Sequence, residues 1–122
     1  MIDFDSGDIV LVRFPFTDLQ SSKQRPAIIV NHVDYPREHG DFVLMPLTSQ
    51  AQKNLALRDW KSAGLLKPTW IKPAIATISQ ELVIKTLGAV SVADHAVVRA
   101  AIEEIFSEQW LAGRHLSGRQ DS

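Results

Sequence analysis

The chain has 122 residues, with 13 basic and 14 acidic side chains, four histidines, a formal net charge of −1 and a pI near 6.4. A chain of this length forms one domain that buries about two-thirds of its unfolded surface. Its 45% hydrophobic and 22% charged content is ordinary globular usage, which excludes a disordered body, and its near-neutral charge excludes a protein that coats nucleic acid electrostatically, so any nucleic-acid site must be local.

The start, MIDFDSGD, is acidic and has no basic region followed by an apolar core, so no signal peptide is expected. No apolar run approaches the ~20 residues of a spanning helix. The expected location is therefore the cytoplasm, without membrane association. Cysteine is absent, which excludes disulfides, thiolate catalysis and cysteine-ligated metals.

Gly7 supplies a tight turn, and Asp8 is a turn residue that bonds nearby backbone. Asp8 to Phe14, Arg25 to Val33 and Asp41 to Leu47 are apolar, β-branched or aromatic runs separated by turn-rich loops, which predicts three strands. In the first, Ile9 and Leu11 face one side and Val10, Val12 and Phe14 the other. Both faces are apolar, as expected where one lines a barrel interior and the other meets a helix or a partner subunit. A second copy of the chain would bury such a face, so a homodimer is expected.

Pro15 ends the first strand, and the loop over 16–22 leads to Lys23, Arg25 and Pro26. Pro26 removes a backbone N–H and disfavours helix at Arg25, placing a fixed cation at an accessible strand entrance. Its planar fork suits phosphate, and Lys23 would act more as a point charge. The alternative is a solvated basic turn. The third strand ends in the hydroxyl pair Thr48-Ser49, followed by Gln50.

The stretch from Gln50 to Lys72 has no clear periodicity. Thr69 to Ile71 and Ile75 to Ile78 read as short strands interrupted at Lys72-Pro73, where proline indicates an edge or bulge. Ser91-Val92-Ala93-Asp94 resembles a capping box, with Asp for the usual Glu or Gln, before Val98, Ile102 and Ile105 on one helical face. Glu103, Glu104 and Glu108 fall on the polar face, and Gly113 is a suitable stop. Strands followed by one packed helix indicate an α+β fold, a domain over 1–112 and a flexible tail over 113–122.

The segment HVDYPREHGD gathers His32, Asp34, Glu38, His39 and Asp41, but around Pro36 and Gly40 and without HExxH spacing; a solvated turn fits it better than a zinc site, and no metal is expected. His95 and His115 have no sequence partner that would make either a base. Trp60, Trp70 and Trp110 suit core or dimer packing. Phe14 and Phe16 flank Pro15 beside the Arg25 loop and are candidates for stacking on bases, with core packing the alternative for Phe14. There is no P-loop, dinucleotide fingerprint or G-x-S-x-G element, so no cofactor is expected.

Taken in order and spacing, GDIVLVRFPF, KQRPAIIV, MPLTS, WKSAGLLKPTWIK and LGAVSVADHAVVRAAIEEIF resemble the PemK/MazF family of toxin endoribonucleases, over nearly the whole chain to a helix expected to end near Leu111. The resemblance implies a small SH3-like, CcdB/MazF-like β-barrel with a C-terminal helix. It also implies cleavage of single-stranded RNA, a cognate antitoxin protein as partner, and Arg25 and Thr48 as catalytic residues. Phe14, Pro15, Phe16, Lys23, Ser49 and Gln50 are the corresponding substrate-binding candidates. Where better-studied members carry a D-Q-[IV]-R-T-like run, this chain reads Pro73-Ala74-Ile75-Ala76-Thr77, with Pro73 for aspartate and Ala76 for arginine. The general base is not identified in the sequence. The alternative from another class is a catalytically degenerate binding protein on the same barrel. The gyrase-poisoning version of the fold is disfavoured, because its Trp-Gly-Ile ending is absent and the chain ends GRQDS.

Overall fold

A computed structural model describes residues 4–14, 23–31 and 40–106. Among these residues are six strands, β1 Asp8–Phe14, β2 Lys23–Ile29, β3 Asp41–Thr48, β4 Trp70–Ile71, β5 Ala76–Ser79 and β6 Val83–Ala89, followed by the helix α1 His95–Ile105. All pairings are antiparallel, in the order β4-β3-β2-β1-β6 with β5 also on β3. The sheet bends into the barrel-like form expected, without closing into a continuous ladder among the described residues.

β1 has the bounds its alternation predicted, because both its faces are buried. Ile9 joins a first apolar cluster, whereas Val10, Val12 and Phe14 join a second on the opposite face. Gly7, at φ 96°, turns the chain into it, and the Asp8 carboxylate accepts the Asp5 N–H at 2.9 Å, the local turn bond expected.

β2 is shorter at its end than the sequence indicated. Val30 N–H still donates to Val43 O, but Val43 N–H donates to the side-chain Oδ1 of buried Asn31 at 2.9 Å. A side-chain amide thus replaces the backbone carbonyl and ends the ladder. The preceding step of that ladder, Ile29↔Leu44, and the steps Ile28↔Met45 and Ala27↔Pro46 set the β2–β3 register.

The other edge of β3 is shared. Asp41 to Leu44 pair with β5 and Leu47 to Thr48 with β4. Between Leu44↔Ala76 and Leu47↔Ile71 the β4–β5 side carries two extra residues, accommodated at Lys72 to Ile75. This is the interruption expected at Pro73, which has no N–H to give a ladder. Lys72 N–H donates to Pro46 O at 2.9 Å, and Ala74 N–H to Lys72 O at 2.7 Å.

β6 was not anticipated. It is an edge strand with Ile84, Lys85 and Thr86 exposed, and its pairing with β1 shifts register twice, so it lacks the clean alternation that marks a strand in sequence.

The first cluster fills the space between one sheet face, the 55–65 segment and α1. It joins Ile9, Ile28, Met45 and Leu47 to Leu55, Leu57, Ala63 and Leu65, with Val98, Ile102 and Ile105 packed on it as their spacing predicted. Trp60 packs there as well, with Lys61 Nζ 5.5 Å from its ring centre. The second cluster is closed by Phe4, Ala76, Leu82 and Val83, with the Phe4 and Phe42 rings edge-to-face at 5.0 Å. The second face of the sheet is thus covered within the chain, by the sheet edge and the N-terminal segment.

The capping motif also differs from expectation. Ser91 Oγ accepts the Asp94 N–H at 3.2 Å, capping a single 3-10 turn, Val92–Asp94. The Asp94 carboxylate, 1% exposed, does not return to Ser91. It accepts the Arg58 and Asp59 N–H groups at 3.0 and 2.9 Å, and Ser91 Oγ donates to Asp59 Oδ2 at 2.7 Å. These bonds fasten the start of the helical region to the 55–65 segment. The helix ends at Ile105 with Phe106 extended, earlier than the expected Leu111. Glu108, Trp110, the Gly113 stop, the domain end at 112 and the tail over 113–122 lie outside the described residues, as do His32, Asp34, Glu38, His39 and His115.

Candidate active site

A cleft of about 920 Å³ crosses the end of the sheet where β2 begins and β3 stops. Arg25 and Pro26 line it from β2, and Pro46 to Gln50 from the end of β3. Lys72, Ala74, Ile75 and Ala76 line it from the β4–β5 junction, Lys85 and Leu87 from β6, and Gly64 to Lys67 from an overhanging lip. Four cations, Arg25, Lys67, Lys72 and Lys85, share this lining, and no carboxylate or histidine among the described residues does. In a protein of net charge −1 this is a local concentration of positive charge, suited to phosphate oxygens.

Arg25 lies two residues before Ala27 and Thr48 two residues after Pro46, the last pair of the β2–β3 ladder, so both stand at the same end of the sheet and line the cleft; on the far side of β3 Thr48 is paired with Trp70. Arg25 is exposed and Thr48 half-buried. Thr48 Oγ1 accepts the Gln50 N–H at 3.0 Å, which fixes the hydroxyl oxygen and leaves its proton to donate into the cleft. Exposed Ser49 and Gln50 continue the same wall.

The lip is held by close backbone approach. A Cβ on Gly64 would lie 2.0 Å from Leu87 O, and one on Gly88 would lie 2.4 Å from Ala63 O, so only glycine permits this crossing of the lip over β6. Gly64 also has φ +89°, a conformation that disfavours any side chain. Beyond it Leu66 stands 96% exposed at the cleft's margin.

Of the candidates from sequence, Arg25, Thr48, Ser49, Gln50 and Phe14 come together on this cleft. Phe14 is 3% exposed and belongs to the second cluster, so it forms floor and core, leaving little of its ring for a base to stack on. Pro15 and Phe16 lie outside the described residues, and Lys23 opens β2 with only its backbone described. Lys67, Lys72 and Lys85 were not singled out by sequence. The one signal was the pair of lysines bracketing the short strand in KPTWIK, which becomes meaningful only once the chain folds against β3. Pro73 to Thr77, which departs from the expected polar run, is brought to the cleft through Ala74, Ile75 and Ala76.

A bent antiparallel sheet with one packed helix and a cation-lined cleft over a strand end defines a small α+β domain with a candidate anion site. Residues 5–106 match the family described as the PemK-like, MazF-like toxin of type II toxin-antitoxin systems, and the chain belongs to that family. Comparison with curated protein sequences gives no significant match. Among solved structures, an endoribonuclease in complex with its cognate antitoxin from a mycobacterial species superposes with a TM-score of 0.67 at 18% identity, covering 86% of this chain and 94% of that one. The MazE-MazF complex from Deinococcus radiodurans gives 0.67 at 17% identity, covering 93% and 100%. The Mycobacterium tuberculosis toxin MazF-mt6 gives 0.65 at 18%, covering 81% and 95%. At these identities the likeness is one of fold.

Proposed function

We propose that this chain is the toxin of a type II toxin-antitoxin pair and a sequence-selective endoribonuclease of single-stranded RNA, held inactive by a cognate antitoxin protein. The observation that carries the reading is the convergence of Arg25, the oriented Thr48 hydroxyl and three lysines on one cleft without a carboxylate among its described lining residues. Such a cleft fits a phosphodiester better than a cationic or neutral ligand.

The reaction needs no protein nucleophile. The ribose 2′-oxygen attacks the adjacent phosphorus; the O2′–P bond forms, the P–O5′ bond breaks, the 2′-proton passes to a base and the departing 5′-oxygen gains a proton. The products are a 2′,3′-cyclic phosphate and a 5′-hydroxyl. Arg25 stabilises the negative charge gathering on the non-bridging oxygens, a role that suits a permanently charged, five-donor guanidinium. Thr48 donates to a phosphate oxygen and orients it. Ser49 and Gln50, with Lys23 at the start of β2 and with Pro15 and Phe16, serve substrate binding. Single strands are the expected substrate because their bases can splay out, whereas a modest local charge does not open a duplex.

The proposed assembly is a homodimer, supported by exposed Ile84 on the edge strand and exposed Val92 and Phe106 near the helix ends. Among the described residues no helix is long and apolar enough to cross a membrane. The proposed location is the cytoplasm, where the proposed RNA substrate is found. A second reading, a toxin that binds antitoxin without cutting, is favoured by one observation: Ala74, Ile75 and Ala76 give their stretch of the cleft wall no polar side chain.

Replacing the 2′-hydroxyl at the scissile position by hydrogen should abolish cutting and leave binding measurable, with EDTA without effect on the all-ribose substrate. Efficient cleavage of the deoxy-substituted oligonucleotide, or activity lost to EDTA and restored by a divalent ion, refutes the mechanism. Antitoxin binding without any RNA cleavage moves the assignment to the second reading.

A further inference from the structure

We propose that Lys72 is a second transition-state cation of the cleft, acting on the scissile phosphate from the side of β3 opposite Arg25, while Lys67 and Lys85 hold flanking phosphates. The proposal rests on the nuclease reading and adds to it a catalytic residue on the β4–β5 side.

Three observations carry it. First, β3 lies between β2 and β4: Arg25 enters the cleft from the β2 side, just before the Ala27↔Pro46 pair, and Lys72 from the β4 side, bonded to Pro46. Pro46 and Thr48 are two residues apart on the same strand face, a separation of about 6.6 Å, within the reach of a lysine side chain. A phosphate on the Thr48 hydroxyl would thus have a cation on each flank. Second, the root of Lys72 is fixed. Its N–H donates to Pro46 O at 2.9 Å, its carbonyl accepts from Ala74 N–H at 2.7 Å, and Pro73 restricts its backbone. Charge stabilisation of a transition state depends on donors placed in advance, and a pinned root meets that requirement. Lys67, whose carbonyl accepts from Thr69 Oγ1 at 2.8 Å and which precedes Pro68, and Lys85, paired with Leu11 on the edge strand, are held as well, but neither lies on a strand paired with β3 beside Thr48. Third, Ala74, Ile75 and Ala76 carry no charge, so Lys72 is the cation that the β4–β5 junction presents to the cleft.

The Lys72 ammonium donates to a non-bridging oxygen as the O2′–P bond forms and the P–O5′ bond breaks, and no proton passes through it.

The test uses the full chain and a short RNA whose cut site has first been mapped on a longer transcript. Single-turnover cleavage is measured alongside binding of the same oligonucleotide with a 2′-deoxy scissile position, across a salt series. Lys72→Ala should slow the cleavage step by about 10²- to 10³-fold while changing the deoxy-oligonucleotide Kd by less than about 3-fold, and Lys72→Arg should recover most of the rate. Lys67→Ala and Lys85→Ala should weaken binding instead and each lower the salt slope by about 0.7. Unaltered cleavage by Lys72→Ala, or rate and affinity falling together as for the other two lysines, overturns the assignment while leaving the nuclease reading in place. A wild type that binds the deoxy oligonucleotide but cuts no RNA overturns both.

Discussion

Gly88→Ala tests how the cleft is held together. Gly88 has no positive φ, so alanine adds no backbone strain and the cost is one of contact. The new Cβ would lie 2.4 Å from Ala63 O and 2.7 Å from its carbonyl carbon, both backbone atoms that cannot rotate aside. Restoring the 3.4 Å of ordinary contact requires the lip and β6 to separate by about 1 Å. Ala63 and Leu65 resist that movement, because both are buried in the first cluster and their N–H groups donate to Asp59 O and Trp60 O at 3.1 and 3.0 Å. Overfilling a packed contact of this kind costs about 1–3 kcal/mol. The displaced lip carries Lys67, so substrate binding should fall as well, and a misplacement of 1 Å can reduce rate by about 10²-fold. Urea unfolding followed by fluorescence should show a lower midpoint with an unchanged slope, and cleavage assays a raised KM. A midpoint equivalent to within about 0.5 kcal/mol of wild type would show that the crossing of lip and strand is not the close, constrained contact inferred.

Arg25→Ala should lose about 10²- to 10³-fold in cleavage rate and change stability by less than ~0.5 kcal/mol, with Thr48→Ala milder because a neutral group is lost; equal cleavage by a well-folded Arg25→Ala variant removes the arginine from the mechanism. Asp94→Asn should destabilise the fold by roughly 2–3 kcal/mol, since an amide offers one acceptor oxygen to two N–H groups that both donate to a carboxylate. Thermal unfolding close to wild type would contradict that account. Sedimentation at micromolar concentration should give a dimer, and Ile84→Lys should shift it toward monomer; a wild type that is monomeric throughout refutes the proposed assembly.

How much could be read from the sequence depended on how far apart the cooperating residues lie. β1 was legible to the residue, because Ile9 points to one apolar cluster while Val10, Val12 and Phe14 alternate onto the other. The helix face was legible through Val98, Ile102 and Ile105, and the strand interruption through Pro73. β6 escaped notice because Lys85 and Thr86 interrupt its apolar pattern and its bulges break the period. Asn31 ended β2 by a side-chain bond across the hairpin, which local propensity does not encode. Asp94 looked like a local cap, yet its partners Arg58 and Asp59 lie some 35 positions away. For the site, Arg25 and Thr48 stood out through the resemblance and the proline beside the arginine. Single lysines are ordinary surface residues, and only the sharing of one β3 edge between β4 and β5 gathers Lys72 with them.

That shared edge also makes the site adjustable in length. The two surplus residues between Ile71 and Ala76 are absorbed on one side of β3, while the β2 side keeps its register and the β1–β2 core beyond it is undisturbed. Insertion or deletion within 72–75 would therefore reshape one wall of the cleft without sliding the strand that carries Thr48. Libraries that vary the number of residues there, and not only their identity, are a direct route to changing what the cleft admits while preserving the fold.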